Sequence, residues 1–551
     1  MAQAATETIN GKAGAEARGV TTIREAAFEL FRARGMTTIF GNPGSTELPM
    51  LADFPSDFTY VLGLQEAVVV GMADGFSQAS GQLTHVNLHT APGVGNAVGA
   101  IFNAQANKSP LLITAGQQVR AQITMQANLT NRDATRVPDP FVKWSYEPPR
   151  AQDVPAALAR GIYHASLPPK GPVFVSLPMD DWNVQIEYAE VRHAVERSVT
   201  GRAAGDPEAV RALAARLESA RNPVMVAGPD VDASGAWDTA VALAERCRLP
   251  VWASPAPGGG RLGFPEGHPN VRGVLPPAIG PVGQTLEEHD FVLVAGSSVF
   301  PYYPYIPGPP LPEGAGLVMI TSDPDEAARA PVGDAIVADV KLTLEALLAS
   351  VGESDRPPPE PADDPPPVED SDPMSPSAVH GTLAEVLPED GIVVLESPTS
   401  TLALRNRLRI SRPGSYFFCA GGGLGYGLAA GIGVQLAQPS RPVVCVLGEG
   451  SAQYAITGFW TAVAYKVPVT FLVLRNEEYG ILKWFADIEQ VTGAPGLDLP
   501  ALETADVARA YGVSSRRVRS REELREALAA GLASNGPALV EVDVAPGMAL
   551  F

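Results

Sequence analysis

Short apolar runs recur along the whole chain. LLITAG (111–116), VFVSLP (173–178), VMVAG (224–228), FVLVAG (291–296), VVCVLG (443–448) and TFLVLRN (470–476) are continuous rather than alternating in apolar residues. That is the pattern of strands buried on both faces of a parallel sheet. Between them lie segments of helical spacing, among them 22–34 and 207–219. Asp206 predicts an N-cap for the second of these, with Pro207 at the first helical position, where its missing N–H goes unused. Strands alternating with helices predict α/β domains, doubly wound, with mainly parallel sheets. No short internal repeat occurs, so the blocks resemble one another in architecture only.

Proline and acidic residues mark the divisions. Residues 355–375 read DRPPPEPADDPPPVEDSDPMS, followed at once by Pro376. Neither a helix nor a central strand survives that proline density, and the charge keeps the segment solvated. A second boundary falls at 192–207, RHAVERSVTGRAAGDP. The expected organisation is a disordered polar extension over 1–20, a first domain over 21–190, a central domain over 205–350, the acidic linker over 355–375 and a last domain over 376–551.

Composition narrows the function classes. The 551 residues include 40 Lys and Arg against 61 Asp and Glu, a net charge of −21. That balance opposes the phosphate-neutralising surface of a nucleic-acid binder. No apolar run is long enough for a membrane-spanning helix, and residues 1–20 lack the apolar core of a secretory signal. Cys247, Cys419 and Cys445 are widely spaced. They form neither a disulfide framework nor a zinc site, and a reducing cytoplasm is the expectation. What remains is a large acidic enzyme.

The richest chemistry lies in VVCVLGEGSAQYAITGFWTAVAYKVPVTFLVLRNEEYG, residues 443–480. One buried strand ends at Gly448 and places Glu449 at its carboxyl end, where open α/β sheets bind ligands. Gly450 and Ser451 open a helix whose free N–H groups suit a phosphate. A second strand ends at Asn476. Glu449, Asn476 and the backbone carbonyl of Glu478 make a hard-oxygen set for Mg²⁺, or Ca²⁺, bridging a diphosphate.

This strand–glycine–helix–strand unit resembles the fingerprint of thiamine diphosphate-dependent enzymes. FGNPGSTELP (40–49), LGLQEAVVVGMADGF (62–76), NLHTAPGVGN (87–96) and YFFCAGGGLGYGLAAGIGVQLA (416–437) extend the likeness across 35–544. It is closest to the family's decarboxylases that cleave benzoylformate. The resemblance implies a pyrimidine-binding first domain, a central domain and a diphosphate-binding last domain. It also implies thiamine diphosphate with Mg²⁺ or Ca²⁺, and a homo-oligomer, a tetramer built as a dimer of dimers, because the family's cofactor is gripped by two chains.

Residue roles follow by the same resemblance. Glu66 partners the aminopyrimidine, His89 moves protons near the substrate, and Ser45 bonds the substrate carboxylate, although 45–48 also suit a helix cap. Ser400 matches a diphosphate-contacting loop. Leu424 matches the apolar side chain that bends the cofactor, and glycines including Gly422 let the backbone approach it. Leu129, Phe418, Ile481 and Phe485 are candidates for an aryl pocket. Two departures stand out. The family carries aspartate where this chain has Glu449, so a methylene must be absorbed. Tyr303 stands where the family has a second active-site histidine, and a phenol is a poor proton shuttle at neutral pH. The implied reaction is non-oxidative decarboxylation of an aryl 2-oxo acid, benzoylformate giving benzaldehyde and CO₂. Alternatives are a carboligase like acetolactate synthase or benzaldehyde lyase, an inactive cofactor-binding paralogue, and a flavin or dinucleotide dehydrogenase. VMVAGPDVDASG (224–235) begins like a nucleotide site but lacks its glycine spacing.

Overall fold

The computed structural model describes residues 19–255, 260–368 and 371–549. The chain divides into two compact units, the first running through Ala73 and again over Gln82–Thr200, the second taking Asp74–Gly81 and everything from Gly201.

The first unit contains β1 (Val20–Thr22), α1 (Ile23–Ala33), β2 (Thr38–Gly41), β3 (Thr59–Leu62), the start of α2 (Glu66–Ser80), β4 (Thr84–Leu88), α3 (Thr90–Ala106), β5 (Leu111–Gln117), β6 (Ser145–Tyr146), α4 (Val154–Ser166), β7 (Val173–Pro178), β8 (Gln185–Glu187) and α5 (Tyr188–Glu196). Six of the strands form a sheet in the order β3-β2-β4-β5-β7-β6, every neighbouring pair parallel. Helix α1 forms because Thr22 and Glu25 cap it reciprocally and because Ile23, Ala26, Ala27, Leu30 and Phe31 share a buried side. Of the expected extension over 1–20, residues 1–18 lie outside the described residues. Val20 departs from the expectation: it opens β1 and pairs antiparallel with Glu187 of β8. Helix α5 carries the unit past residue 190, since Tyr188 and Val191 belong to its core.

The second unit holds two more sheets. The middle one contains α6 (Pro207–Ser219), β9 (Pro223–Ala227), α7 (Trp237–Arg246), β10 (Val251–Ala253), β11 (Val271–Val274), β12 (Phe291–Ala295), β13 (Gly316–Thr321), β14 (Asp334–Val337) and α8 (Val340–Ser350), with strand order β11-β10-β9-β12-β13-β14. Asp206 caps α6 by accepting the Glu208 N–H at 2.8 Å. Residues 355–375 carry no helix or strand where they are described, beyond a single bridge from Met374 to Val544. The last sheet contains α9 (Pro376–Val386), β15 (Ile392–Glu396), α10 (Thr401–Leu408), β16 (Tyr416–Phe418), α11 (Tyr426–Ala437), β17 (Val443–Gly448), α12 (Glu449–Gln453), β18 (Thr470–Arg475), α13 (Gly480–Ile488), β19 (Ser514–Val518), α14 (Arg521–Leu532) and β20 (Ala538–Asp543), in the order β16-β15-β17-β18-β20-β19. Its pairings are all parallel as well. Trp237 and Leu262 enter the core beneath this sheet, and the buried Arg405–Glu266 pair, at 2.7 Å, ties the two sheets of the unit together.

Each sheet has one interior point where the strand order reverses, and such points are where a doubly wound sheet opens a crevice at its carboxyl edge. They lie between β2 and β4, between β9 and β12, and between β15 and β17. The middle crevice is filled by the chain itself. A Cβ on Gly228 would lie 2.3 Å from Ser297 and 2.4 Å from the Gly296 carbonyl, and one on Gly263 would lie 2.3 Å from the Gly228 carbonyl. That packing removes the dinucleotide reading of 224–235. The other two crevices carry the polar residues singled out above.

One buried group makes the first sheet sensitive to acid. His85 of β4 is wholly enclosed, 4.6 Å from the Phe31 ring, with Nε2 2.9 Å from Thr114 Oγ1. Burial pushes its pKa down to about 3 from 6.5. Below 6.5 the unfolded chain takes up a proton that the folded chain refuses, so stability falls with pH between 6.5 and about 3. His85→Phe should flatten that fall by up to ~1.4 kcal/mol per pH unit. Urea unfolding of both proteins at several pH values checks this; parallel slopes would contradict it.

Candidate active site

In the first unit the reversal between β2 and β4 brings the loop after Gly41 beside His89, which follows β4 and occupies the N-cap position of α3. The residue that organises this place is Glu47, which the sequence reading passed over. Its side chain is 1% exposed. Oε2 accepts from the Gly44 N–H at 2.7 Å and from His89 Nδ1 at 2.9 Å; Oε1 accepts from the Gly116 N–H at 2.7 Å and Thr46 Oγ1 at 2.8 Å. A carboxylate so deep is tolerable only with such a full set of donors. Because the ionised carboxylate can only accept, Nδ1 carries the proton and Nε2 is left as the base. The approach needs glycine: a Cβ on Gly44 would meet the His89 ring at 2.0 Å, and one on Gly116 would meet Glu47 Oε1 at 2.2 Å.

Glu66 opens α2 and is 9% exposed, with Oε2 accepting from Asn96 Nδ2 at 3.0 Å. Gly93 on the first turn of α3 lets it approach His89: a Cβ there would lie 3.2 Å from Glu66 Oε1 and 3.3 Å from His89 Cβ. Ser45 is exposed in the turn before the short helix Leu48–Leu51 and does not cap it; the N-cap position is Glu47. Leu129 is half-buried on a turn, in a left-handed conformation at φ 69°.

In the second unit the reversal between β15 and β17 forms a pocket. Ser397, Ser400, Leu424, Glu449, Gly450, Ser451, Asn476, Glu478 and Ile481 all line it. Glu449 absorbs its extra methylene by turning Oε1 to the N–H groups of Asn476 at 3.1 Å and Glu477 at 2.7 Å; neither bond uses Oε2. Burial raises its pKa above the glutamate value against the pull of those N–H groups. The Glu478 carboxylate is occupied by Lys483 and the Gly547 N–H, so only its backbone carbonyl remains as a ligand. Gly450 has to be glycine, since a Cβ would lie 2.8 Å from both Leu499 and Tyr479. Gly422 and Gly425, either side of Leu424, take φ of 72° and 99°. At the end of β15 the enclosed Glu396 accepts the N–H groups of Tyr426 and Gly427 at 3.0 and 3.1 Å and fixes the start of α11, and burial pushes its pKa up to about 8.

Four of the second unit's residues singled out stand outside that lining. Gly422 precedes the lining residue Leu424 by two positions, Phe418 of β16 packs against the core, and the Tyr303 and Phe485 rings meet tilted at 37° with centroids 4.8 Å apart, Tyr303 being 59% exposed.

The comparisons with known proteins decide the family. Three descriptions match in order: the N-terminal binding domain of thiamine pyrophosphate enzymes over 21–136, their central domain over 210–347 and their C-terminal binding domain over 399–542. The chain belongs to the thiamine pyrophosphate enzymes. A benzoylformate decarboxylase of Pseudomonas aeruginosa is 51% identical over 522 residues, covering 95% of this chain and 98% of that protein. A solved thiamine diphosphate-dependent 4-hydroxybenzoylformate decarboxylase of Rhodococcus jostii RHA1 superposes with a TM-score of 0.93 at 45% identity, covering 96% of this chain and all of that one. A putative acetolactate synthase large subunit of Mycobacterium tuberculosis is 29% identical, covering 93% of this chain and 96% of its own.

The residues present fit the family's cofactor. Glu66 and Asn96 offer a carboxylate and an amide to an aminopyrimidine, and the second pocket offers hydroxyls and backbone N–H groups to a diphosphate. Among the described residues no cluster of three or more His, Cys, Asp or Glu is arranged to hold a metal. A cation held there would have to rely on one carboxylate, neutral oxygens and the oxygens of the diphosphate, a set that suits Mg²⁺.

Glu47→Gln should disorient His89 without removing it, because the amide NH₂ would face two of the four donors whichever oxygen it replaces. We expect turnover to fall roughly 10–10²-fold and unfolding free energy to fall by about 2–4 kcal/mol. Steady-state rates and urea unfolding check both; parent-like values for the two together would contradict this role.

Proposed function

We propose that this protein decarboxylates aryl 2-oxo acids, benzoylformate first among them, releasing CO₂ and the aryl aldehyde. The observation that carries the reading is the 51% identity to a benzoylformate decarboxylase along almost the whole of both chains, supported by solved relatives of the same kind. Thiamine diphosphate, when bound, supplies the nucleophilic carbon and the electron sink.

The chain's own residues do the rest. Glu66, enclosed at the start of α2, holds a proton against the aminopyrimidine and sets its tautomer. Ser45, exposed on its turn, donates a hydrogen bond to the substrate carboxylate. His89, fixed by Glu47 with Nε2 presented, takes up and returns the proton that the departing CO₂ makes necessary. Ser400, Gly450 and Ser451 hold the diphosphate, Leu424 bends the cofactor, and Glu449, Asn476 and the Glu478 carbonyl hold Mg²⁺ or Ca²⁺. Leu129, Phe418, Ile481 and Phe485 are the candidates for an aryl wall. The working form in this reading is a tetramer, a dimer of dimers, and the three free, buried cysteines suit the cytoplasm.

Tyr303 favours a second activity. With a phenol where the family resemblance implies histidine, proton delivery late in turnover would slow, and an added aldehyde would compete with the proton for the carbon that CO₂ leaves. The protein would then also join the aroyl group of the 2-oxo acid, after loss of CO₂, to one added aldehyde, whose oxygen takes up the proton, giving a 2-hydroxyketone.

Incubation with benzoylformate, thiamine diphosphate and Mg²⁺ should release benzaldehyde and CO₂; no aldehyde from protein loaded with cofactor would sink the reading. Glu66→Gln should lower turnover by about 10²–10⁴-fold and slow exchange of the C2 proton of bound cofactor, read by NMR. An unchanged exchange rate would remove Glu66 from its role. With benzoylformate and acetaldehyde together, Tyr303→His should shift product from 2-hydroxyketone toward free benzaldehyde. An unchanged ratio and turnover would place Tyr303 outside the chemistry.

A further inference from the structure

The pocket of the second unit has a buried histidine behind it that the chemistry above does not use. His380 lies on α9 and is wholly enclosed. Its Nε2 is 3.0 Å from Ser400 Oγ, and its Nδ1 has no hydrogen-bond partner among the described residues. Ser400 Oγ is in turn 3.0 Å from Ser397 Oγ, and both serines line the pocket with Gly450 and Ser451. The three side chains form a short chain of polar atoms, closed at the histidine and open at the pocket.

The direction of that chain follows from which nitrogen carries the proton. Burial holds the ring neutral, its pKa pushed down to about 3, so it has a single N–H. On Nδ1 that proton would be a buried donor with no acceptor, and Nε2 would consume the Ser400 hydroxyl proton. On Nε2 it is given to Ser400 Oγ, leaving only a bare lone pair behind. Orphaned buried N–H groups are the rarer of the two defects. The Nε2–H form also leaves Ser400 with a proton still to donate, directly or through Ser397. The oxygens of an anion only accept, so a serine whose proton is taken by histidine cannot bind one.

We propose that His380 is a positioning residue for diphosphate binding: as a neutral Nε2–H donor it turns the Ser400–Ser397 hydroxyls outward, so that they donate to the cofactor's diphosphate. This rests on the thiamine diphosphate reading of the pocket. His380 contributes no charge, and its effect runs entirely through Ser400.

The test is calorimetric titration of the cofactor-free protein with thiamine diphosphate at fixed Mg²⁺. His380→Phe should raise Kd about tenfold, with kcat at saturating cofactor within about twofold of the parent. His380→Gln, which keeps a donor, should recover most of the affinity. In a Ser400→Ala background His380→Phe should change little, because the hydroxyl it acts on is gone. An unchanged Kd in His380→Phe, or an undiminished loss in the Ser400→Ala background, overturns the proposal. Selective ¹⁵N-histidine labelling gives a reading on the parent itself, should His380→Phe not fold: His380 must be neutral and protonated at Nε2, and an Nδ1–H ring overturns the proposal. A parent that binds no thiamine diphosphate at all would instead sink the reading of the pocket.

Discussion

A parallel sheet covered on both faces leaves polar and ionisable groups chiefly one address, the carboxyl ends of its strands, where the chain turns into the next helix and backbone N–H groups stand unpaired. The chemistry of this chain gathers at such ends. Glu47 follows β2, Glu66 follows β3, His89 follows β4, Glu396 ends β15, Glu449 follows β17 and Asn476 follows β18. The strands themselves are lined almost throughout by Val, Ile, Leu and Phe, which exclude water from both faces. Strand order reverses inside all three sheets; two of those crevices open, and the middle one is closed where Gly228, Gly263 and Gly296 let the chain pack closely.

Within those crevices three of the deep carboxylates take backbone N–H groups rather than a Lys or Arg side chain, whereas Glu66 takes the Asn96 amide. Glu47 takes two, from Gly44 and Gly116; Glu396 takes two, from Tyr426 and Gly427; Glu449 takes two, from Asn476 and Glu477. Backbone donors cannot swing away as Lys or Arg can, so these carboxylates are fixed before any ligand arrives, which is the condition for electrostatic preorganisation. It also accounts for the departure at Glu449. An aspartate is one methylene shorter, and the longer glutamate reaches back to the N–H groups at the end of β18 while keeping its second oxygen for another partner.

Much of this was legible in the sequence. The continuous apolar runs at 173–178 and 443–448 are strands over those same residues, and Asp206 caps the helix that Pro207 begins. Glu449, Asn476, Ser400 and Leu424 meet in one pocket because their motifs sit at strand ends, a position that local pattern encodes. Glu47 was hidden because its four partners come from three separate segments, and 45–48 reads equally well as an ordinary helix cap. His380 was hidden for a related reason. A histidine on an apolar helix side resembles core filling, and only the packing of α9 on α10 brings it to Ser400. Val20 joined a strand despite its polar surroundings because β8, far along the chain, supplies the backbone partner.

The central proposal, resting on the family's pattern of two chains sharing a cofactor, is that the strand ends of the first sheet take the aminopyrimidine and those of the last sheet take the diphosphate of the same kind of ligand. A ligand held at both ends gains from the second contact as from a raised local concentration, whereas either half alone does not. Calorimetric titration of the cofactor-free protein at fixed Mg²⁺, with thiamine diphosphate and with inorganic pyrophosphate in parallel, measures this directly. The account predicts thiamine diphosphate binding at least about 10²-fold more tightly than pyrophosphate. Equal affinities would contradict it, because the residues around Glu66 would then contribute nothing to holding the cofactor.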